Sequence, residues 1–541
     1  MSIYAYMFEV RGIQSFLFSS GKLKDLVAGS ELIDFLCKQP LREALKVCGL
    51  EGYDSSQHSP RCAGGSFYLL IEDRDKAVRL SHIWPLIVEQ LLPGIEQVAV
   101  LSVGSTAKDA VAEGLNQLRS ARNYMIPQLP AASPLAKRNP RTGSVAVQQK
   151  AGESLDLASS KKRAFKRPDA ADSLSLTGRF SENAQLKWPD NFEDTGPESR
   201  RFPMAGESHI AIVHADGNGL GEVLRVVNAA ASGLSDSAYI RLYRSFSDGL
   251  EQATVQACQQ ACESVLESKT VNNIVPARPV VLGGDDLTLL VRADLALPFT
   301  EAFTQAFEQA SSTFLTQLRS QIAEHSSGQA DALPQCLTVC AGMSFIKPSQ
   351  PFAQSYQLAE SLCDQAKKAS RNARTSEQEM IASSLSFHWV QSTLIEDAEA
   401  LFEQEKVVRS RTDSTEKLAL GLKAYRMGTS GAGQALPSLN DLYALAESLF
   451  TREGLNRKRL RKLATLLHLD LAAAEREYVR WRELAHETAG AALADFDRAL
   501  TSLLNETSAR LPANKEHTLS PLADLLVLIK LIDRSQGDGH E

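Results

Sequence analysis

Within VVLGGDDLTLLV (residues 280–291) two glycines and two aspartates interrupt an apolar run. The pattern predicts a hairpin with Gly283 and Gly284 in its turn, where positive φ costs glycine little. Asp285 and Asp286 would then stand at its exposed tip. Crowded carboxylates repel, and a divalent cation relieves the repulsion; hard oxygen ligands suit Mg²⁺ or Mn²⁺. A third acid, Asp216, follows the apolar run 208–214 (SHIAIVH) and precedes Gly217, Asn218 and Gly219. A glycine turn ahead of a helix leaves backbone N–H groups free for phosphate. If the two strands are neighbours, Asp216 and Asp285 meet. They could then hold two metals for in-line attack of a hydroxyl on an α-phosphate. Lys367, in LAESLCDQAKKASR (358–371), is placed to offset phosphate charge, with Lys368 as the competing choice. His214 reads as a packed strand residue rather than a catalytic base. No side-chain base is evident between the hairpin and Gln305, so metal activation of the hydroxyl is expected. Taken singly, GGDD is also compatible with a hairpin of no chemical role, and DGNG with an ordinary turn.

The surrounding pattern supplies the elements that would position these groups. Apolar runs at 3–10, 67–71 and 98–103 read as strands, with helical periodicity through 21–50, 80–92 and 107–122. A second strand-rich unit begins at 208. It continues with a helix at 235–268, the GGDD hairpin, a helix at 298–325, a strand at 337–346 and a helix at 351–371. The order predicts an α+β fold with helices on one face of each sheet. The two units read as a diverged repeat: 63–73 (AGGSFYLLIED) can be laid over 282–294, and 8–16 (FEVRGIQSF) over 213–221. In that alignment Ser66 and Phe67 stand where the second copy has Asp285 and Asp286, and Arg11 where it has Asp216. The expected division is a degenerate first unit at 1–124, a basic middle segment at 125–206, a second unit carrying the GGDD site at 207–395, and a helical region at 396–541 with no convincing strand.

The chain has 541 residues, 43 % hydrophobic and 23 % charged, with 58 Lys+Arg against 65 Asp+Glu, a net charge of −7. That composition fits several globular domains and excludes both wholesale disorder and a general polyanion binder. Between Lys137 and Arg167, however, nine Lys/Arg face two Asp/Glu. This stretch reads either as a solvated linker face or as a docking surface for RNA phosphates or an acidic partner. The N-terminus lacks a signal-peptide pattern. The apolar stretch 521–532 is short and carries Asp524 and Lys530, so no membrane span is expected and a cytoplasmic location is. The eight cysteines include no CxxC pair and no His pair at ligand spacing beside them, so no zinc site is expected.

At these residues the sequence resembles the large polymerase/cyclase subunit of type III CRISPR effector complexes. The resemblance rests on 8–33 (FEVRGIQSFLFSSGKLKDLVAGSELI), 63–73, 139–147 (NPRTGSVAV), 214–224 (HADGNGLGEVL), the GGDD segment, 341–368 and SFHWV (386–390). It implies two ferredoxin-like palm domains related to GGDEF cyclases and polymerase palms. It also implies conversion of ATP into cyclic oligoadenylate-type second messengers when the complex binds target RNA. By resemblance Asp216, Asp285 and Asp286 are metal ligands, Gly283 and Gly284 let the nucleotide approach the backbone, and Lys367 lies near the phosphates. Ser30 and Gly65 of the first palm would contact a second ATP. The expected partners are crRNA-guided RAMP-type subunits and target RNA. The family's HD nuclease has no counterpart motif here, since no His-Asp dipeptide occurs, so DNA cleavage by this chain is not expected.

The sequence therefore favours a metal-dependent nucleotidyltransferase/cyclase acting in antiviral defence. The main alternative is a non-catalytic scaffold of an RNA-guided complex, docking through Lys137–Arg167 and NRKRLRK (456–462). A GTP-using diguanylate cyclase would fit the motif but not the paired palms.

Overall fold

The computed structural model describes residues 2–53, 58–63, 65–124, 133–150, 152–166, 175–192, 200–376, 379–391, 396–409, 417–450 and 457–537. The first sheet has four antiparallel strands in the spatial order Arg61–Ala63, Ser66–Ile71, Ile3–Arg11, Glu96–Gly104. Numbered along the chain this is 2-3-1-4, the order of a ferredoxin-like βαββαβ unit. The second sheet repeats it with Ala277–Gly283, Asp286–Arg292, Ile210–Gly217 and Val339–Ile346, and extends past Val339–Ile346 with Ser384–Trp389 and Tyr425–Arg426. The fold is α+β with two such palms and a helical C-terminal region.

The expectation of helices on one face only is corrected by the packing. In the second palm Ala211, Val213 and Ala215 face Asp236–Ala261 and Ala293–Ala323, whereas Ile210 and Ile212 face Phe352–Asn372 on the opposite side. The first palm does the same, with Ala107–Ala121 against Ala5 and Met7, and Arg74–Leu91 against Tyr6 and Phe8. Strands covered on both sides lose polar/apolar alternation, which is why IYAYMFEV and IAIVH read as unbroken apolar runs. Gly342 permits the close approach of Phe352–Asn372. A Cβ there would lie 1.9 Å from the Ala359 carbonyl oxygen and 2.3 Å from the Cys363 nitrogen.

The described residues 133–150 and 152–166 of the basic middle segment are folded onto the first palm. A hairpin, Gln148–Lys150 with Glu153–Leu155, leads into the helix Leu157–Ala164. Asn139 and Thr142, from the NPRTG stretch, both donate to Asp156 Oδ2, at 2.8 and 2.5 Å. Lys162 is fully buried: its ammonium donates to the Phe16 carbonyl and lies 4.0 Å from the Phe16 ring centroid. Arg163 makes two bonds to Asp25, at 2.7 and 3.1 Å, and a further ion pair with Glu153. Part of this positive charge is thus used inside the fold. Asp25 has no exposed side-chain surface, so removing its partner leaves a buried charge uncompensated. Arg163→Ala is expected to lower stability by about 3–5 kcal/mol, measured by denaturant unfolding.

The C-terminal region holds helices Leu439–Glu447, Arg457–Leu469, Leu471–Thr488, Gly490–Leu504 and Leu522–Gly537. The expectation of no strand there is corrected by Val407–Arg409, Lys417–Ala419 and Tyr425–Arg426, each too short to show alternation in sequence. In the basic cluster, Arg459 and Lys462 both meet Glu477, at 3.8 and 2.9 Å. Among the described residues no helix is long and apolar enough to cross a membrane.

Candidate active site

Strand pairing brings the sequence-predicted acids together. Ile210–Gly217 runs antiparallel to Asp286–Arg292, with Ala215 opposite Leu287 and His214 opposite Thr288. Continuing that register sets Asp216 opposite Asp286. The hairpin closes by pairing Gly283 with Asp286, so its turn residues are Gly284 and Asp285, and of the two glycines only Gly284 has positive φ (61°). Asp285 folds over Gly217, where a Cβ would come 2.8 Å from Asp285 Cβ and 3.0 Å from its Oδ2. Any side chain at 217 would therefore push Asp285 out of place.

Asp216 and Asp285 are in hydrogen-bonding contact. Burial, together with the charge and hydrogen bond of Asp216, pushes the Asp285 carboxyl up to about 7. Burial, then Asp216, Asp285 and Glu360, hold Asp286 well above the ordinary carboxylate value. Its Oδ1 is buried without a hydrogen-bond partner, although His214 Nδ1 comes within 3.4 Å, while 31 % of the side chain's surface stays exposed. The expected exposed tip is thus a half-buried one. Lys367 supplies the opposing charge through an ion pair with Asp216; burial lowers its pKa, but the Asp216 hydrogen bond and charge prevail and raise it. Lys368, the competing choice, is exposed. His214 is buried and edge-on to Tyr356, and burial lowers its pKa to about 4, as expected of a packed neutral strand residue rather than a base.

The three acids do not form one ready cluster. Among the described residues no three His, Cys, Asp or Glu side chains converge as a metal-holding group. The Asp216–Asp285 pair nonetheless fits a hard cation. It is a close oxygen-only donor set whose repulsion already raises one pKa, and the Lys367 ammonium stands against it as a cation would. The orphaned Asp286 oxygen adds an unused acceptor beside it.

A cavity of about 530 Å³ opens between the palms. Ser30, Asp34, Arg61 and Tyr68 line it from the first palm, and Gly283, Gly284, Asp285 and Asp286 from the second. Asp216, Gly217, Lys367 and Gly65 are not among its lining residues. Strand order accounts for part of the split: the cavity lies along the edge strand Ala277–Gly283 and the hairpin tip, and Asp216 sits one strand further in, paired to the Lys367 helix. Of the residues expected at the nucleotides, Ser30, Gly283 and Gly284 thus line this cavity, and Gly217, Lys367 and Gly65 lie outside its lining. A Cβ at Gly65 would meet Val10 and Ile33 instead. The Ser30 hydroxyl donates to the Val280 carbonyl, tying the first palm to the hairpin.

Residues 209–375 match the family model described as Cas10/Cmr2, second palm domain. Across 98 % of its length the chain is similar, at 13 % identity and TM-score 0.48, to a chain of the Csm1–Csm4 subcomplex in the type III-A CRISPR-Csm interference complex, covering 69 % of that chain. It is similar with the same two coverages to Csm1 in T. onnurineus (15 % identity, TM-score 0.47). A third such structure is the Csm1–Csm4 cassette in complex with cA4 (12 % identity, TM-score 0.47). No curated protein matches the chain.

The pairing of the second sheet, set against that of the first, corrects the repeat alignment. Gly12 and Gly219 both have positive φ (59° and 77°) and both precede a helix. Three residues before them stand Glu9 and Asp216. Ala63 pairs with Ser66 as Gly283 pairs with Asp286. Glu9, not Arg11, is therefore the counterpart of Asp216, and Ser66 that of Asp286. Matching the Gly-Gly letters shifted the hairpins by one residue. Glu9 is locked: Tyr68 donates to its Oε1 at 2.8 Å, and Arg122 binds its Oε2 through Nε at 3.1 Å. Sequence reasoning also missed Tyr356, whose only signal is its helical spacing from Lys367, three turns away on one face.

Proposed function

We propose that the chain is a metal-dependent nucleotidyltransferase/cyclase that joins ATP into cyclic oligoadenylate-type products. The observation that carries this reading is the Asp216–Asp285 contact, balanced by Lys367, at the edge of a cavity lined by both palms. Asp216 and Asp285 would hold Mg²⁺ or Mn²⁺, with Asp286 in support. When bound, such a cation lowers the pKa of an attacking 3′-hydroxyl and stabilises charge on the α-phosphate. The chain's own groups do the rest. Gly284 and Asp285 form a narrow turn that brings backbone to the cavity wall. Ser30 ties the hairpin to the first palm, so the wall shared by both palms keeps its shape. Lys367 moves from Asp216 to phosphate oxygens as pyrophosphate leaves. The apolar lining, including Leu224, Tyr239 and Leu250, excludes water that would hydrolyse the product.

The similar structures include Csm1–Csm4 cassettes in complex with cA4, cA3, AMPPNP and one ATP. By that likeness we further propose assembly with a Csm4-like RAMP-type subunit on guide RNA, triggered by target RNA. The division into a first palm at 1–124, a middle segment at 125–206, a second palm at 207–395 and a helical region at 396–541 belongs to the same reading.

One observation favours the scaffold reading instead: Lys367 already neutralises Asp216, so the palms could bind nucleotide without turnover. Mass spectrometry of the purified protein with ATP and Mg²⁺ or Mn²⁺, with and without RNA, separates the two. Cyclic or linear oligoadenylates support the enzyme, and intact ATP under every condition supports the scaffold.

A further inference from the structure

The opening of the first palm, Gly12 to Phe18, has no part in the cation chemistry. Its helix Ile13–Phe18 crosses to the second palm and lies on the Lys367 helix. Phe18 stacks on Tyr356 with centroids 4.9 Å apart, and Gln14 Nε2 donates to the Tyr356 hydroxyl at 3.2 Å. Tyr356 is buried. Its far side meets the strands beneath the acids: the ring is edge-on to His214, and the hydroxyl also contacts the Thr288 side chain. His214 Nδ1 lies 3.3 Å from Thr288 Oγ1 and 3.4 Å from Asp286 Oδ1. Thr288 follows Asp286 by two residues, so both point to the same face of the sheet.

We propose that Tyr356 is a positioning residue for Asp286. It acts through Thr288 and His214, and is itself set from the first palm by Gln14 and Phe18. The proposal rests on reading the acids as a cation site. Its physical reason is that Asp286 Oδ1 has no hydrogen bond of its own to fix it. The walls around the carboxylate must therefore hold its rotamer, and Tyr356 backs those walls. The helix that holds Tyr356 is fixed in turn, because Lys162 binds the Phe16 carbonyl and lies 3.3 Å from Ser19 Oγ. Groups that support metal-site residues from behind commonly change metal affinity by about 10–100-fold when altered.

The test is Mn²⁺ titration of the full chain, followed by the EPR signal of the free ion, with thermal unfolding alongside. Tyr356→Phe keeps both ring contacts and removes only the hydroxyl. Gln14→Ala leaves Tyr356 intact, and so decides the matter even if the first variant folds poorly. Each is expected to weaken Mn²⁺ binding about tenfold with unfolding temperature little changed. The double variant should be no weaker than Tyr356→Phe, because both changes break one link. Asp216→Asn with Asp285→Asn should lose Mn²⁺ altogether. If that pair loses Mn²⁺ while Gln14→Ala and Tyr356→Phe bind it like the wild type, the positioning role is wrong and the cation site stands. If the wild type binds no Mn²⁺, the cation site falls and takes this role with it.

Discussion

Asp285→Ala combined with Asp286→Ala is expected to cut oligoadenylate formation from ATP by at least about a thousandfold, which corresponds to roughly 4 kcal/mol of lost transition-state stabilisation. Asp285 is one half of the carboxylate contact, and Asp286 carries the orphaned buried oxygen beside it. Without them Asp216 remains alone with Lys367, an ion pair with no remaining attraction for a divalent ion. The fold should survive. Leu287, Leu289 and Val291 anchor one face of the strand, and neither aspartate contributes to that core. The measurement is product formation by mass spectrometry, with circular dichroism confirming the fold. ATP consumption at the wild-type rate would refute the site assignment.

The second large effect runs in the opposite direction, on stability. Asp285→Asn is expected to make the protein more stable at pH 8. The native Asp285 carboxyl titrates near 7, raised by burial and by Asp216, whereas its ordinary value is 3.8. Between those values the folded state holds a proton that the unfolded state has released. Stability contributed by this group is therefore present below the ordinary value and is lost as pH rises towards 7. His214 works against it over a lower window: its pKa falls to about 4, so the folded state holds fewer protons than the unfolded state up to about 6.5, and its contribution grows with pH there. The asparagine removes only the first effect. After discounting for screening at a half-buried site, its gain should be about 1–2 kcal/mol at pH 8, a few degrees of melting temperature, and should vanish near pH 4. Mn²⁺ should stabilise the wild type at pH 8 and leave the variant unchanged. Thermal unfolding across pH, with and without Mn²⁺, checks both statements. A variant less stable than the wild type at pH 8 would mean that the carboxylates do not repel in the folded protein.

Local chemistry was legible in the sequence wherever a residue type had few other uses. GGDD between apolar runs announced a hairpin, and the Asp-Gly turn announced a strand end. The structure pairs those two strands in the register that sets Asp216 opposite Asp286. Lys367 was separable from Lys368 only by face, which helical periodicity in a mixed-polarity helix does not resolve. The sandwiching of both sheets was written in the unbroken apolar strands, which lack the alternation of a sheet covered on one face only, but the order of elements alone was taken to place the helices on one side. The basic segment misled for a related reason. Lys162 and Arg163 carry charge, yet one is fully buried against Phe16 and the other pairs with Asp25, and neither partner is near in sequence. Glu9 was overlooked because glycine letters, rather than hairpin pairing, set the alignment of the two copies.

Central to the account is a divalent ion shared by Asp216 and Asp285. Anomalous diffraction from crystals grown with Mn²⁺ and a non-hydrolysable ATP analogue tests it directly. The expected result is a manganese peak at those two carboxylates, with the Lys367 ammonium displaced from Asp216 towards phosphate. Bound nucleotide with no peak there, and Lys367 still on Asp216, would contradict it.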